Sequence, residues 1–169
     1  ILFTKVGAIV LTSLLLLATS IYFYPQTTAT VSSGIHAKEL PIYCVDKGEE
    51  AKISLSFDAA WGNEDTSKIL EVLKKNDVRV TFFMTGGWIE KYPEDVKAIA
   101  AAGHDLGNHS ENHKQMSQLS ADQCKEEIMK PHEKVKQLTG KDMMLFRPPY
   151  GDYNDNLIQV CREINYYPI

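Results

Sequence analysis

Short apolar runs alternate along the chain with amphipathic segments that have the periodicity of helices. The runs predict buried strands at 53–57, 78–84, 105–108 and 143–146, and the amphipathic segments predict helices at 66–76, 93–102, 120–139 and 154–163. Strands that alternate with helices form parallel sheets, because each helix carries the chain back to the same end of the sheet. The pattern therefore predicts an α/β fold with a parallel sheet, and it does not separate an open sheet from a barrel.

Two local features qualify this prediction. Residues 40–45 read as an edge strand, and Lys47-Gly-Glu-Glu50 after them reads as a turn. Pro131 lies inside the predicted helix 120–139, where the missing N–H of proline predicts a kink or a break. Ser120 and Gly140 fit the two ends of that helix.

Polar residues with catalytic potential follow three of the predicted strands. Asp58 closes the first, His109 and His113 follow the third, and Arg147 follows the fourth. The carboxyl ends of parallel strands meet at one edge of the sheet, where α/β proteins build their sites. Two imidazoles four residues apart can face one ion from a single turn. The set indicates metal-assisted hydrolysis.

Each residue also has a simpler explanation when it is taken alone. An isolated His-x-x-x-His pair is a weak signal for metal. Asp58 would serve equally as a turn or helix-capping residue, and Arg147 as a charge on a surface loop. The aspartate, the histidine pair and the arginine each stand at the end of a strand-like run, in this order. This arrangement favours one shared site over three separate roles.

Composition limits the function classes. The chain has 169 residues, enough for one domain with a sizeable core, and a net charge of −4 without a basic cluster. This argues against a nucleic-acid partner. Its three cysteines, Cys44, Cys124 and Cys161, form no Cys-x-x-Cys pair, so they indicate neither a zinc knuckle nor a redox motif.

The N-terminal region differs from the rest. Residues 6–24 are uncharged and mostly apolar, with Lys5 before them, and this length suits a membrane-spanning helix. A secretory signal peptide is the alternative. We therefore expect a signal-anchor at 1–24, a linker at 25–38 and a domain at 39–169 that lies outside the cytoplasm, held by one span or secreted after cleavage. Residues 166–169 read as the start of another strand, so we expect this domain to be incomplete at its C-terminus.

Four stretches of the chain resemble, in order, the motifs of the NodB homology domain of polysaccharide deacetylases, carbohydrate esterase family four. They are Leu55-Ser-Phe-Asp58, Val80-Thr-Phe-Phe-Met-Thr-Gly86, Gly103-His-Asp-Leu-Gly-Asn-His-Ser-Glu-Asn-His113 and Phe146-Arg-Pro-Pro-Tyr-Gly151. The resemblance runs from about Ala51 to the end of the chain, and 57–62 resembles a subgroup associated with endospore-forming bacteria. It implies a distorted (β/α) barrel of which this chain carries the first part.

The resemblance also implies roles for these residues. Asp58 matches the catalytic base, and His109 and His113 match ligands of a divalent metal, with zinc first and cobalt, nickel or manganese as alternatives. Arg147 matches the arginine that pairs with the base. Tyr150 matches the residue whose backbone N–H stabilises the oxyanion. The implied reaction removes N-acetyl groups from an N-acetylated cell-wall polysaccharide such as peptidoglycan.

Three further residues are candidates for substrate contact, namely Trp61, Pro149 and Gly151. For Trp61, and for Trp88 after the second strand, packing in the core or a loop is the alternative to stacking on a sugar ring.

The chain departs from the family pattern in two places. The family usually has a second aspartate as third metal ligand, and here that position is Ala59. The family's remaining motifs, including a histidine that acts as general acid, would follow Ile169. These departures keep two alternatives open: a catalytically impaired glycan-binding protein of the same fold, and a structural protein of the spore or wall envelope.

Overall fold

The computed structural model describes residues 38–169, and these residues form an α/β fold around a parallel sheet. Five strands pair in chain order: β1 (Ser56–Ala59), β2 (Thr81–Met84), β3 (Asp105–Asn108), β4 (Leu145–Phe146) and β5 (Tyr167–Pro168). Every pair of neighbouring strands is parallel. The predicted parallel sheet is confirmed, and closure of the sheet into a barrel stays a prediction.

The predicted N-terminal anchor 1–24, and all of the predicted linker except Lys38, lie outside the described residues. Among residues 38–169, no helix has the length and apolarity that a membrane span requires.

Five helices connect the strands: α1 (Thr66–Lys75), α2 (Gly86–Lys91), α3 (Pro93–Ala101), α4 (Ala121–Thr139) and α5 (Asp155–Glu163). All four predicted helices are present within one or two residues of their predicted bounds. α2 was not predicted, because its six residues are too few to show a helical period; Thr85 caps it by accepting a hydrogen bond from the Trp88 N–H. Two 3₁₀ turns, Met116–Gln118 and Pro149–Gly151, complete the described elements.

Helix α4 shows why its ends were predictable. Ser120 and Gln123 form a reciprocal capping box at its start, and Gly140 ends it in the left-handed conformation at φ 72°. The helix continues through Pro131, so of the predicted kink or break the break is wrong, and the kink stays a prediction. Pro131 has no N–H to donate, which leaves the helix one backbone hydrogen bond short in this turn. In the same turn, the Ile128 carbonyl accepts a hydrogen bond from the Asn108 side chain at 2.7 Å.

Alternation along the strands separates two faces of the sheet. Phe82, Met84, Leu106 and Phe146 belong to the core cluster that the helices share. The register places Asp58, Phe83 and Gly107 in one row across β1, β2 and β3. Since side chains alternate along a strand, this row points away from the helix-covered core. Asp58 thus reaches the face on which a site can form.

The N-terminal part of the domain differs from the prediction. β1 begins at Ser56, and Ile53 is 88% exposed, so the predicted buried strand 53–57 is displaced toward the C-terminus. β1 is an edge strand of the described sheet, paired only with β2, and Leu55 directly before it is also exposed. Residues 40–45 form no strand; they run beside β5, where the Ile42 N–H donates to the Pro168 carbonyl at 2.8 Å. The predicted turn at 47–50 is present, closed by the Glu50 N–H and the Lys47 carbonyl.

Candidate active site

An ion pair joins the ends of two strands that are distant in sequence. The Arg147 guanidinium follows β4 and donates a hydrogen bond to the Asp58 carboxylate of β1 at 2.8 Å. The Arg147 N–H donates to the Asn108 carbonyl at 2.9 Å, which extends the pairing of β3 and β4 by one residue. The arginine therefore leaves the sheet at a fixed point, directed toward β1.

An aromatic ring supports this arginine. The Arg147 guanidinium lies over the Phe83 ring, 4.0 Å from its centroid, in a cation–π contact. Phe83 is buried, and its ring lies against the backbone of Gly107 on the neighbouring strand. A Cβ atom at position 107 would come within 2.5 Å of the ring. These contacts form one continuous stack. It runs from Gly107 through Phe83 and Arg147 to Asp58, the candidate base.

We expect Gly107→Ala to disturb this stack. The added methyl group has to displace the Phe83 ring, so we expect a loss of about 1–3 kcal/mol in the free energy of unfolding, the usual cost of overpacking. Urea denaturation followed by tryptophan fluorescence measures it. Gly87→Ala is the matched control, because a Cβ at Gly87 meets nothing within 4 Å. Equal stability of the two variants would show that Phe83 does not press on Gly107.

His109 is buried behind the ion pair, with 4% of its surface exposed. Its Nδ1 lies 2.7 Å from the Arg147 carbonyl oxygen. A carbonyl can only accept, so Nδ1 carries the proton and Nε2 presents a free lone pair. Burial lowers the pKa of His109 and outweighs the hydrogen bond to the Arg147 carbonyl and the charge of Asp58, which raise it. The imidazole is therefore neutral near pH 7, which is the form that binds metal.

His113 stands beside His109, with ring centroids 4.9 Å apart and the rings edge to face. Its backbone lies in the left-handed region at φ 53°, and its N–H donates to the Ser110 hydroxyl at 2.9 Å. Trp61 and Tyr150 flank its ring, at centroid distances of 5.2 and 4.7 Å. The two predicted metal ligands thus face a common space.

The turn that carries Tyr150 forms the next wall. Tyr150 has φ 60° within the 3₁₀ turn and an exposed ring. Asp152 and Asn154, just after the turn, bind the backbone N–H and carbonyl of Ser117 at 2.8 and 2.9 Å. These bonds fix the turn to the 3₁₀ segment that follows the histidines.

The residues described above line a pocket of about 590 Å³ that is open to the solvent. All of the predicted site residues except Pro149 line it: Asp58, Trp61, His109, His113, Arg147, Tyr150 and Gly151. Pro149 differs from the prediction. It is buried as the first residue of the 3₁₀ turn, and Pro148 lines the pocket in its place.

The two tryptophans have different environments. Trp88 is buried, and its indole N–H donates to the Gly62 carbonyl at 2.6 Å, so the packing interpretation holds for it. Trp61 is 79% exposed at the pocket rim, so core packing is excluded for it. Trp88 therefore anchors the loop that presents Trp61 to the solvent.

The donor set suits a divalent metal with two protein ligands. His109 offers Nε2, and His113 lies beside it. Among residues 38–169, no group of three or more His, Cys, Asp or Glu side chains is placed to hold an ion. Ala59, at the position of the expected third ligand, packs against the helix-covered core and is not among the residues that line the pocket. Three protein ligands are usual for catalytic zinc, so a two-imidazole site binds more weakly.

One residue that organises this corner was not among the predicted site residues. Asn108 is fully buried at the end of β3. Its Oδ1 accepts from the Ser110 N–H at 3.0 Å, and its Nδ2 donates to the Ile128 carbonyl and to the Tyr166 hydroxyl. An asparagine inside a predicted buried strand was the available signal, because a buried amide has to find partners.

Comparison with known proteins places this arrangement in a family. A family model described as polysaccharide deacetylase matches residues 46–169. A peptidoglycan-N-acetylglucosamine deacetylase of Bacillus cereus is 37% identical over 117 residues, which are 69% of this chain and 42% of that protein. The peptidoglycan-N-acetylmuramic acid deacetylase PdaA of Bacillus subtilis is 35% identical over 122 residues, 72% of this chain and 46% of PdaA. The chain thus spans less than half the length of these curated relatives.

Solved structures include a catalytically silent relative. A crystal structure described as a CE4 family pseudoenzyme from Bacillus anthracis superposes with a TM-score of 0.67 at 34% identity, over 69% of this chain and 41% of that one. A mutant of the same pseudoenzyme is described as having restored enzymatic activity. The matching sequence motifs, the parallel sheet and these similarities lead to one assignment. The chain belongs to the polysaccharide deacetylase family, carbohydrate esterase family four, and has its NodB-type α/β fold.

Proposed function

We propose that this protein hydrolyses N-acetyl groups of a cell-wall polysaccharide, either peptidoglycan or a chitin-like N-acetylglucosamine polymer. The observation that carries the proposal is the Asp58–Arg147 pair at 2.8 Å in the same pocket as His109 and His113. A pocket for binding alone has no need for a fixed carboxylate beside two imidazoles. The relatives described as peptidoglycan deacetylases support the proposal.

Asp58 acts as the base that takes a proton from the attacking water. The Arg147 guanidinium holds the carboxylate in one orientation, and Phe83 and Gly107 hold the guanidinium. Such positioning matters because a general base contributes only within hydrogen-bonding reach of the proton that it removes. The amide C–N bond then breaks and the leaving nitrogen takes up the proton that the water gave to Asp58, so the products are acetate and a free amine.

His109 and His113 are the residues that would hold a divalent cation, for which zinc is the first candidate. When bound, the cation polarises the acetamido carbonyl and acidifies the water that attacks it. The Tyr150 backbone N–H is the proposed donor to the oxyanion. A donor of this kind contributes a few kcal/mol to stabilisation of the transition state.

The rim of the pocket suits a sugar ring. Trp61 and Tyr150 present exposed aromatic surfaces on either side of His113. Exposed aromatic rings at a cleft offer a flat apolar surface together with a polar edge. We propose that Trp61 stacks on the sugar that carries the acetamido group, and that Gly151 lies against it.

Metal removal tests the proposal. We expect N-acetylglucosamine oligomers and peptidoglycan to release acetate with the zinc-loaded full chain. Chelation should reduce the release to background, and added zinc should restore it, because a site with two protein ligands gives up its ion readily. Enzymatic determination of acetate measures the effect. Release that persists unchanged after complete metal removal would contradict the proposed metal site.

A glycan-binding protein without turnover is the second candidate. The absence of a third ligand at Ala59 and the similarity to a family pseudoenzyme favour it. It predicts binding of oligosaccharide in the presence of zinc without acetate release. A structural role in the envelope, the third candidate, predicts affinity for neither zinc nor glycan.

We further propose that the protein works outside the cytoplasm, held to the membrane by residues 6–24 or released by cleavage after them. The apolar run supports this, and so does a substrate that lies in the wall. The resemblance of 57–62 to the endospore-associated subgroup supports spore peptidoglycan as the substrate form. Fractionation of sporulating and vegetative cells with an antibody tests both; recovery in the cytosol alone would contradict the location.

A further inference from the structure

The loop that carries the two histidines, residues 109–113, has an unfavourable backbone conformation. Ser110 and His113 both lie in the left-handed region, at φ 66° and φ 53°. A residue other than glycine costs about 1–3 kcal/mol in such a conformation and persists there only when its surroundings fix it. Contacts inside the loop and to its neighbours therefore have to supply the stabilisation.

Helix α4 supplies one such contact through a buried carboxylate. The Glu127 side chain is only 6% exposed. It accepts hydrogen bonds from the Asn112 N–H and from the Asn112 side-chain amide, both at 2.8 Å, and it pairs with the Lys114 ammonium at 2.8 Å. Burial raises the pKa of Glu127, but the bonds from Lys114 and Asn112 outweigh it and hold the pKa below its usual range. The carboxylate thus binds the residues on both sides of His113.

Helix α4 makes a second contact with the loop 109–113. The Lys134 ammonium binds the Glu111 carboxylate at 2.6 Å and also reaches Glu90 of α2 at 3.0 Å. Glu127 and Lys134 are seven residues apart, so they lie on one face of α4, two turns from each other. One helix face therefore holds two consecutive loop residues with groups of opposite charge.

We infer that Glu127 is a positioning residue that holds the loop 109–113 in the conformation in which His109 and His113 face the same ion. This inference rests on the proposed function. The positions of Asn112 and Lys114, directly before and after His113, make the effect specific: the carboxylate holds the Glu111–Asn112 peptide unit through its N–H and the Lys114 side chain through its ammonium, so both residues that flank His113 are held by one group. Groups that orient metal ligands without binding the ion typically change affinity about 10- to 100-fold when removed.

Glu127→Met tests the inference, with Glu126→Met as its matched control. Both substitutions remove one negative charge from adjacent positions of α4 and introduce a good helix former. Glu126 differs in being exposed, and within the described part of the chain it pairs only with Lys130 on its own helix. We expect Glu127→Met to weaken zinc binding to the full chain about tenfold, as measured by competition with a chromophoric chelator. Glu126→Met should leave the zinc affinity unchanged.

Hydrogen exchange of the zinc-free full chain provides a readout that does not depend on the metal. We expect the amides of residues 109–113 to exchange about tenfold faster in Glu127→Met, with the amides of β2 and β3 unchanged. A carboxylate that merely stabilised the fold would accelerate exchange throughout the domain. Asn112→Ala offers a second route, because it removes a Glu127 contact from an exposed position and should loosen the same amides even where Glu127→Met fails to fold.

The outcomes separate the inference from the proposed function. If hydrogen exchange of residues 109–113 is unchanged in both Glu127→Met and Asn112→Ala, the inference is overturned, regardless of the zinc affinity. Equal zinc affinity of wild type and Glu127→Met would also overturn it, while the proposed metal site would stand. A wild-type chain that binds no zinc would contradict the proposed metal site, and loop exchange would still decide the role of Glu127.

Discussion

Asp58→Asn should abolish acetate release while the protein keeps its fold and its zinc. Asparagine matches the size of the aspartate but cannot accept a proton at neutral pH, so we expect kcat to fall about 100- to 10,000-fold, the usual contribution of a general base. The ion pair with Arg147 is partly exposed, with 45% of the Asp58 side chain accessible. An exposed pair contributes about 0–1 kcal/mol to stability. The melting temperature should therefore change little.

The control for this variant is Asp65→Asn. Asp65 is also an exposed aspartate that pairs with a cation, Lys68, at 3.1 Å, but it does not line the pocket of the two histidines. Its substitution should leave kcat within about twofold, since surface changes of this kind rarely exceed 0.5 kcal/mol. Full activity of Asp58→Asn would remove Asp58 from the mechanism. A parallel loss of activity in Asp65→Asn would indicate a general effect of charge.

His109→Ala should lower zinc affinity and acetate release together. The substitution removes one of two protein ligands, so we expect the affinity to fall by more than the 10- to 100-fold that follows loss of a supporting group. It also leaves the Arg147 carbonyl without its partner, at a cost of about 1–3 kcal/mol. Metal content after dialysis against a zinc buffer, together with kcat/KM, measures the effect.

His104→Ala is the matched control for this second variant. His104 has the same 4% exposure as His109, but it precedes β3, bonds the Val80 N–H, and does not line the pocket. Its loss should cost stability and leave the zinc affinity unchanged. Unchanged zinc affinity in His109→Ala would contradict the assignment of the ligands, and an equal loss in both variants would point to unfolding as its cause.

Local signals in the sequence were sufficient for four of the five helices of the described structure and for the parallel sheet. The capping box at Ser120 and the glycine at 140 are short-range features, and the structure has both. The limits of β1 depended on the sheet instead. An apolar run predicts a buried strand, but Ile53 becomes buried only where another layer covers it, and the described structure has none there.

The sequence was sufficient to predict which residues line the site. It was not sufficient to predict which residues hold them in place. Asp58, His109 and Arg147 stand at strand ends, and parallel pairing brings strand ends together. The contribution of Phe83 depends on the register that aligns it with Asp58 and Gly107, and the sequence does not reveal that register. Glu127 is one of several acidic residues on a predicted helix, and only the tertiary fold distinguishes it from its exposed neighbour Glu126.

The products formed from a defined N-acetylglucosamine oligomer decide whether this protein is a deacetylase. Zinc-loaded full chain and oligomer are incubated, and free amine and acetate are both quantified, with Asp58→Asn in parallel. We expect amine and acetate in equal amounts from the wild type and neither from the variant. A related deacetylase that releases acetate under the same conditions serves as the positive control. If the oligomer binds to the zinc-loaded wild type but neither amine nor acetate is formed, the proposed deacetylase activity is contradicted. The protein would then be a glycan-binding member of the family.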